Sequence, residues 1–294
     1  MRCRMLMAGW LLGTLGITPA AAQSSADASW DSVATLLGTR PGRGPGTWRY
    51  GFPRSDLAVR MGGVAVAPGL AFGSWIGFWG PADGAQAMGD LVVTSDELPK
   101  VLRALDRTGF EITAVHNHLA GEIPAVMYVH FHGHGSAVAL AARFDSVLSE
   151  TATPRRGSPP PAAATTSDTT IVFGALGRGD ASGALIRYGF ALISTPVRIN
   201  GTPVPADLAL GSPVNLQATE PGRIVATGDF ALLQGQVPGG LRALTDGGIT
   251  TTALHTHLIG EEPKVYYLHF WADGPTQSVA TALRGAIDAA RVEP

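Results

Sequence analysis

The 294 residues include 21 basic and 23 acidic side chains, with 45% hydrophobic and 15% charged residues. That balance excludes wholesale disorder and supplies no basic patch for nucleic acid or anionic lipid. The 38 glycines and 21 prolines favour strands and turns over a helical bundle, and the length suits one large domain or two ordinary ones.

Arg2 and Arg4 precede an apolar run, Met5 to Ile17, that is short for a bilayer span, and Ala20-Ala21-Ala22 offers small residues for cleavage. The pattern predicts a secretory signal peptide over 1–22, hence a periplasmic or secreted protein with no transmembrane segment after cleavage. Removing Arg2 and Arg4 from the 21 basic residues leaves 19 against 23 acidic ones, a net charge of −4. Cys3, the one cysteine, is removed too, so the mature chain has no disulfide and no thiolate ligand. Because Cys3 precedes the apolar run, lipidation is not expected.

Residues 23–29 read as a flexible polar leader, and Trp30 to Leu37 as a short amphipathic helix ended by Gly38. From Trp48 to Trp79 the segments WRYGF, LAVRM, VAVAP and LAFGSWIGFW, punctuated by Gly and Pro, predict a meander of antiparallel strands. Gly89-Asp90 opens another strand. Ser95 is placed to cap a helix whose apolar face is Leu98, Val101, Leu102 and Leu105, and Gly109 is placed to close it. FEITAVHNH then predicts a strand, LAGEIP a connection, AVMYVHF a returning strand, and Ser136 to Leu148 a helix.

Residues 151–168 are rich in Pro, Ala and Thr and predict a linker. Beyond it the plan repeats. Arg49-Tyr-Gly-Phe52 recurs as Arg187-Tyr-Gly-Phe190, Gly89-Asp90 as Gly228-Asp229, and Arg103-Ala-Leu105 as Arg242-Ala-Leu244. The expected fold class is therefore α+β: two similar domains from an internal duplication, 23–150 and 169–294. Each is an antiparallel sheet with a few helices packed on it, and the two form a pseudo-twofold pair. Pro53-Arg54-Ser55-Asp56 has become Ala191-Leu192-Ile193-Ser194, so an Arg/Asp pair exists only in the first half. It marks either a functional difference between the halves or a surface ion pair.

The strongest functional signal is one stretch present twice. Gly109–Gly135 and Gly248–Gly274 align at an offset of 139 with 14 of 27 positions identical, and all eight histidines of the chain fall inside them. His116, His118, Glu122, Tyr128 and His130 recur as His255, His257, Glu261, Tyr267 and His269. In a strand, residues i and i+2 share a face, so each His-x-His pair projects side by side, a common way to hold a divalent metal such as Zn, Fe or Cu. Glu122 with His130, and Glu261 with His269, are the expected further ligands, provided residues 119–127 form a wide loop or His130 meets another strand. Asp90 and Asp229 are further carboxylates present in both halves. His132 and His134 have no counterparts and read as structural or surface residues.

The string His-x-His-x3-Glu is similar to the first metal motif of cupins, but the Pro-x-Gly-x2-His expected on a later strand is missing. A broader resemblance rests on Tyr50–Leu57 (YGFPRSDL), Met88–Val93 (MGDLVV), Thr113–His130 and Thr252–Gly274. These segments resemble the LppY/LpqO-like family of exported bacterial proteins, itself a duplicated domain of unknown function. The resemblance implies secretion and the duplicated plan, and no reaction. Three readings follow. The first is binding of a divalent metal or small polar ligand through the duplicated His-x-His/Glu clusters. The second is a metal-dependent hydrolase or oxygenase with Glu122 or Glu261 as general base on a metal-bound water. The third is a non-catalytic module with core histidines. No nucleophile elbow, phosphate loop or heme-attachment motif is present.

Overall fold

The computed structural model describes residues 20–155 and 166–291. Most of the expected signal peptide, residues 1–19, and the centre of the expected linker, 156–165, lie outside them. The first half runs α1 (Ala20–Leu37), β1 (Gly42–Gly44), β2 (Thr47–Pro53), β3 (Arg60–Met61), β4 (Val64–Ala65), α2 (Pro68–Ala71), β5 (Gly73–Trp79) and β6 (Ala85–Thr94). It closes with α3 (Leu98–Thr108), β7 (Glu111–His116), β8 (Val126–Gly135) and α4 (Ala137–Leu148). The second half runs α5 (Thr166–Leu176), β9 (Asp180–Ser182), β10 (Leu185–Phe190), β11 (Arg198–Ile199), β12 (Thr202–Pro203), β13 (Ser212–Glu220) and β14 (Arg223–Leu233). It ends with α6 (Val237–Asp246), β15 (Thr250–His255), β16 (Glu261–Glu262), β17 (Val265–Pro275) and α7 (Thr276–Ala290).

Each half builds a six-stranded sheet in which every pairing is antiparallel, ordered β1-β2-β5-β6-β8-β7 and β9-β10-β13-β14-β17-β15. The orders are equivalent strand for strand, as the duplication requires. The central strands β6 and β14 are buried on both faces, so they read as nearly continuous apolar runs instead of alternating ones. On one face of the first sheet, Ile76, Phe78, Leu91, Val129 and Phe131 pack under α1, α3 and α4. Their counterparts in the second sheet pack under α5, α6 and α7.

The opposite faces of the two sheets meet. Trp75, Trp79 and Met88 of the first half are covered by Val197, Ile199, Val204 and Leu208 of the second. Reciprocally, Val59, Val66, Leu70 and Phe72 pack with Leu185, Val225 and Trp271. The molecule is thus a four-layer stack, helices–sheet–sheet–helices, with each half lending a cover segment to the other's inner face.

This exchange explains where local expectations fail. LAVRM and VAVAP supply only the two-residue strands β3 and β4, joined at Gly62 and Gly63 (φ +54° and +88°), and Pro68–Ala71 is a helical turn. That segment covers the partner sheet instead of joining its own. Helix α1 begins at Ala20, so residues 23–29 are helical and not a flexible leader; Gly38 ends it in the left-handed conformation as expected (φ +66°). Ser95 does not cap α3. Thr94 and Glu97 close the turn that leads into it, with the Thr94 N–H donating to Glu97 Oε2 at 2.9 Å and the Glu97 N–H to Thr94 Oγ1 at 3.4 Å. Gly109 closes the helix at φ +73°.

Arg54 is not at the surface. It is fully buried, with Nη1 2.7 Å from Glu97 Oε2 and Nη2 2.8 Å from Asp56 Oδ2. Glu97 in turn accepts the Ala152 N–H, fastening the chain after α4. In the second half Leu192 and Gln236 occupy these places, and Gln236 makes neutral hydrogen bonds to Leu192 and Ala290 carbonyls. The pair seen in the sequence is a structural corner, and one half builds it from charges where the other does not.

Candidate metal centre

Both repeated stretches project into the space between the sheets. β7 pairs with β8 so that His116 faces Tyr128, and β15 pairs with β17 so that His255 faces Tyr267. Residues 117–125 therefore form the wide loop that the spacing requires, and His130 sits one pleat beyond His116. His130 also pairs with Asp90 of β6, and His269 with Asp229 of β14. Each ladder has an extra residue, Thr113 in β7 and Thr252 in β15. Such a bulge re-aims its side chain. Thr113 Oγ1 donates to the His257 carbonyl at 2.6 Å, and Thr252 Oγ1 donates to the His118 carbonyl. The two bonds are exchanged between duplicated positions, which is the signature of a pseudo-twofold contact.

Six imidazoles converge there. His116 and His118 have ring centroids 5.2 Å apart, and His255 and His257 5.1 Å. Across the contact, His118 lies 3.8 Å from His269, and His130 lies 4.0 Å from His257. Three groups each offer ligand atoms within 4.8 Å of one another: His116/His118/His269, His116/His130/His255 and Asp229/His255/His257. The first two draw on both halves. The structure therefore brings His116, His118, His130, His255, His257 and His269 together, and adds Asp90 and Asp229. Asp90 Oδ2 is 3.6 Å from His118 Nε2, and Asp229 Oδ2 is 3.2 Å from His257 Nε2.

Glu122 and Glu261 stand elsewhere. Glu122 Oε1 accepts the Val126 N–H at 3.2 Å, and Glu261 Oε1 accepts the Val265 N–H at 3.3 Å while Lys264 pairs with it. Both carboxylates turn back to tie the start of the returning strand, and neither belongs to the three groups. His132 hydrogen-bonds Gln86 and His134 is exposed, in line with their lack of counterparts.

The tautomers can be assigned in part. His130 Nδ1 lies 3.1 Å from the Gly89 carbonyl, His269 Nδ1 3.0 Å from the Gly228 carbonyl, and His116 Nδ1 3.2 Å from the Asn117 carbonyl. A carbonyl only accepts, so each Nδ1 donates and each Nε2 carries a lone pair. Those three Nε2 atoms are buried without a hydrogen-bond partner, as are Nε2 of His118, both ring nitrogens of His255 and His257, and Oδ1 of Asp90 and Asp229. Tyr128 stacks on His118 at 3.5 Å and Tyr267 on His257 at 3.3 Å, holding the rings in place.

Burial, with mutual repulsion, holds the His116, His118, His255, His257 and His269 pKa values below the ordinary 6.5, and burial lowers that of His130. Burial also pushes the Asp229 carboxyl up, with a further contribution from the charge on Asp90. The centre thus gathers neutral imidazoles, each with one lone-pair nitrogen, and the facing carboxyl groups of Asp90 and Asp229. These groups could hold a metal ion. A cavity of about 520 Å³ reaches His118, His130, His257 and His269 from the side.

Local spacing leaves open whether the two histidine clusters form one site or two; the structure brings them together, with two of the three groups drawn from both halves. Asp90 and Asp229 were visible as a repeated Gly-Asp pair, but only strand register shows that they face the histidines.

Comparison with known proteins gives a family. The family described as Domain of Unknown Function (DUF1259) matches residues 31–150 and again 172–289. No curated protein matches the chain. One solved structure, the ligand-free regulatory subunit of aspartate kinase from Thermus thermophilus, aligns at 15% identity over 71% of this chain and 93% of that one. Its TM-score of 0.19 is too low to relate the two folds.

Proposed function

The chain belongs to the family described as Domain of Unknown Function (DUF1259), and we propose that it binds divalent metal ions between its two halves as an extracytoplasmic protein. Each ion takes the His-x-His pair of one half and the β8 or β17 histidine of the other: His116 and His118 with His269, and His255 and His257 with His130. Asp90 and Asp229 supply the carboxylates. The supporting observation is the cluster of unpartnered buried polar atoms: ten ring-nitrogen and carboxylate atoms of these eight residues have no hydrogen-bond partner. An unsatisfied buried polar atom costs about 1–3 kcal/mol, and every neutral imidazole among them has one lone-pair nitrogen, so this many facing one another favour a cation among them. Imidazole with carboxylate suits zinc, iron or copper. An extracytoplasmic location rests on the signal-like residues 1–22 and on the resemblance to LppY/LpqO-like exported proteins. No helix among the described residues is long and apolar enough to cross a membrane.

Elemental analysis of protein dialysed against zinc, iron(II) or copper(II) tests the reading. Wild type is expected to retain one or two ions per chain, and His118→Ala/His257→Ala to lose most of them. Negligible metal in wild type would leave the histidines with a structural role only.

A further inference from the structure

Arg49 and Arg187 occupy the same place in the repeated Arg-Tyr-Gly-Phe and line the same cavity as the cluster histidines. Among the described residues neither has a carboxylate within 4.0 Å, and of the arginines without an ion pair these two are the ones that line this cavity. Arg49 lies over the Trp75 ring at 4.5 Å, and Arg187 reaches only the Gly69 carbonyl, at 3.5 Å. Two residues on from each arginine, Gly51 and Gly189 also line the cavity, and a Cβ built on either would meet nothing within 4 Å. The duplicated glycines leave open space in the cavity wall near each arginine in sequence.

We infer that this cavity takes a small organic anion, its carboxylate or phosphate oxygens gripped by Arg49 and Arg187 beside the metal centre. The inference rests on the metal reading above. Two divalent ions and two guanidiniums outweigh the carboxylates of Asp90, Asp207 and Asp229, so the filled cavity is net positive. A guanidinium without an ion-pair partner offers a forked donor matched to carboxylate or phosphate. The volume of about 520 Å³ is of the size that holds a small metabolite.

The test uses zinc-loaded full-length protein with succinate, inorganic phosphate and the neutral isostere succinamide, read by calorimetry and by thermal shift. At millimolar concentration at least one anion is expected to bind and raise the melting temperature, and succinamide is not; which anion binds identifies the oxygen chemistry. Arg49→Met/Arg187→Met should weaken that binding by about tenfold or more and leave zinc content unchanged. Gly51→Leu/Gly189→Leu should block it by filling the cavity, again with zinc retained. No response to either anion, or equal binding by the arginine variant, overturns the inference while leaving metal binding standing. Loss of zinc from wild type itself would instead remove the metal reading.

Discussion

His116 and its duplicate His255 stack with ring centroids 3.7 Å apart and planes 17° from parallel. Two copies of one sequence position touch only near the axis that relates them, so the pseudo-twofold passes through the histidine centre. The duplication and the site are therefore one feature: neither half contains all six of the histidines that meet there.

The reciprocal threonine bonds hold that axis. Thr113→Val or Thr252→Val keeps shape but leaves a carbonyl of the other half without its donor. Each substitution is expected to lower stability by about 1 kcal/mol, measured by urea unfolding. Unchanged midpoints would mean that the halves are registered by apolar packing alone.

The lowered pKa values of the six clustered histidines set a pH dependence for metal-free protein. Unfolded, these imidazoles protonate near 6.5; folded, they stay neutral well below that. Below about 6.5 the unfolded state therefore binds more protons, and stability falls with pH. Denaturant titrations of metal-free protein at pH 8 and pH 5 should show a clear loss at pH 5. A variant lacking His118 and His257 should lose less.

The Arg54 corner predicts non-additivity. Arg54→Leu alone strands Glu97 and Asp56 near the core and should cost about 3–5 kcal/mol. Arg54→Leu/Asp56→Ser/Glu97→Gln, which installs the second half's Leu192, Ser194 and Gln236, should recover most of that in the same unfolding assay. Additive losses would show that the two corners are not interchangeable.

Gly89 and Gly228 explain the repeated Gly-Asp. A Cβ at Gly89 would lie 2.3 Å from the Trp75 carbonyl and 2.4 Å from the Phe131 ring, and one at Gly228 2.5 Å from the Pro213 carbonyl. Each glycine's own carbonyl orients a cluster histidine. Gly89→Ala is expected to cost about 1–3 kcal/mol and to lower metal affinity by displacing His130. A stable variant with normal metal uptake would separate the strand from the site.

Much of this was legible in the chain. The repeat predicts two like α+β halves, Gly38 and Gly109 mark helix ends, and the i, i+2 spacing places His116 beside His118. The misreadings share one cause. Residues 57–72 read as strands, and the Arg54 pair as either a functional difference or a surface ion pair, because local pattern reports propensity, not partner. The cover segments pack on the other half's sheet, and the histidines of one half meet those of the other. Contacts between the two halves join residues so far apart in sequence that they leave no local periodicity to read.

The most direct test is an anomalous-scattering map of crystals grown with zinc. The account predicts peaks between the sheets, one within about 2.0–2.1 Å of His116, His118 and His269 nitrogens, its mate beside His130, His255 and His257. Zinc held by residues of a single half, or no zinc between the sheets, would contradict it.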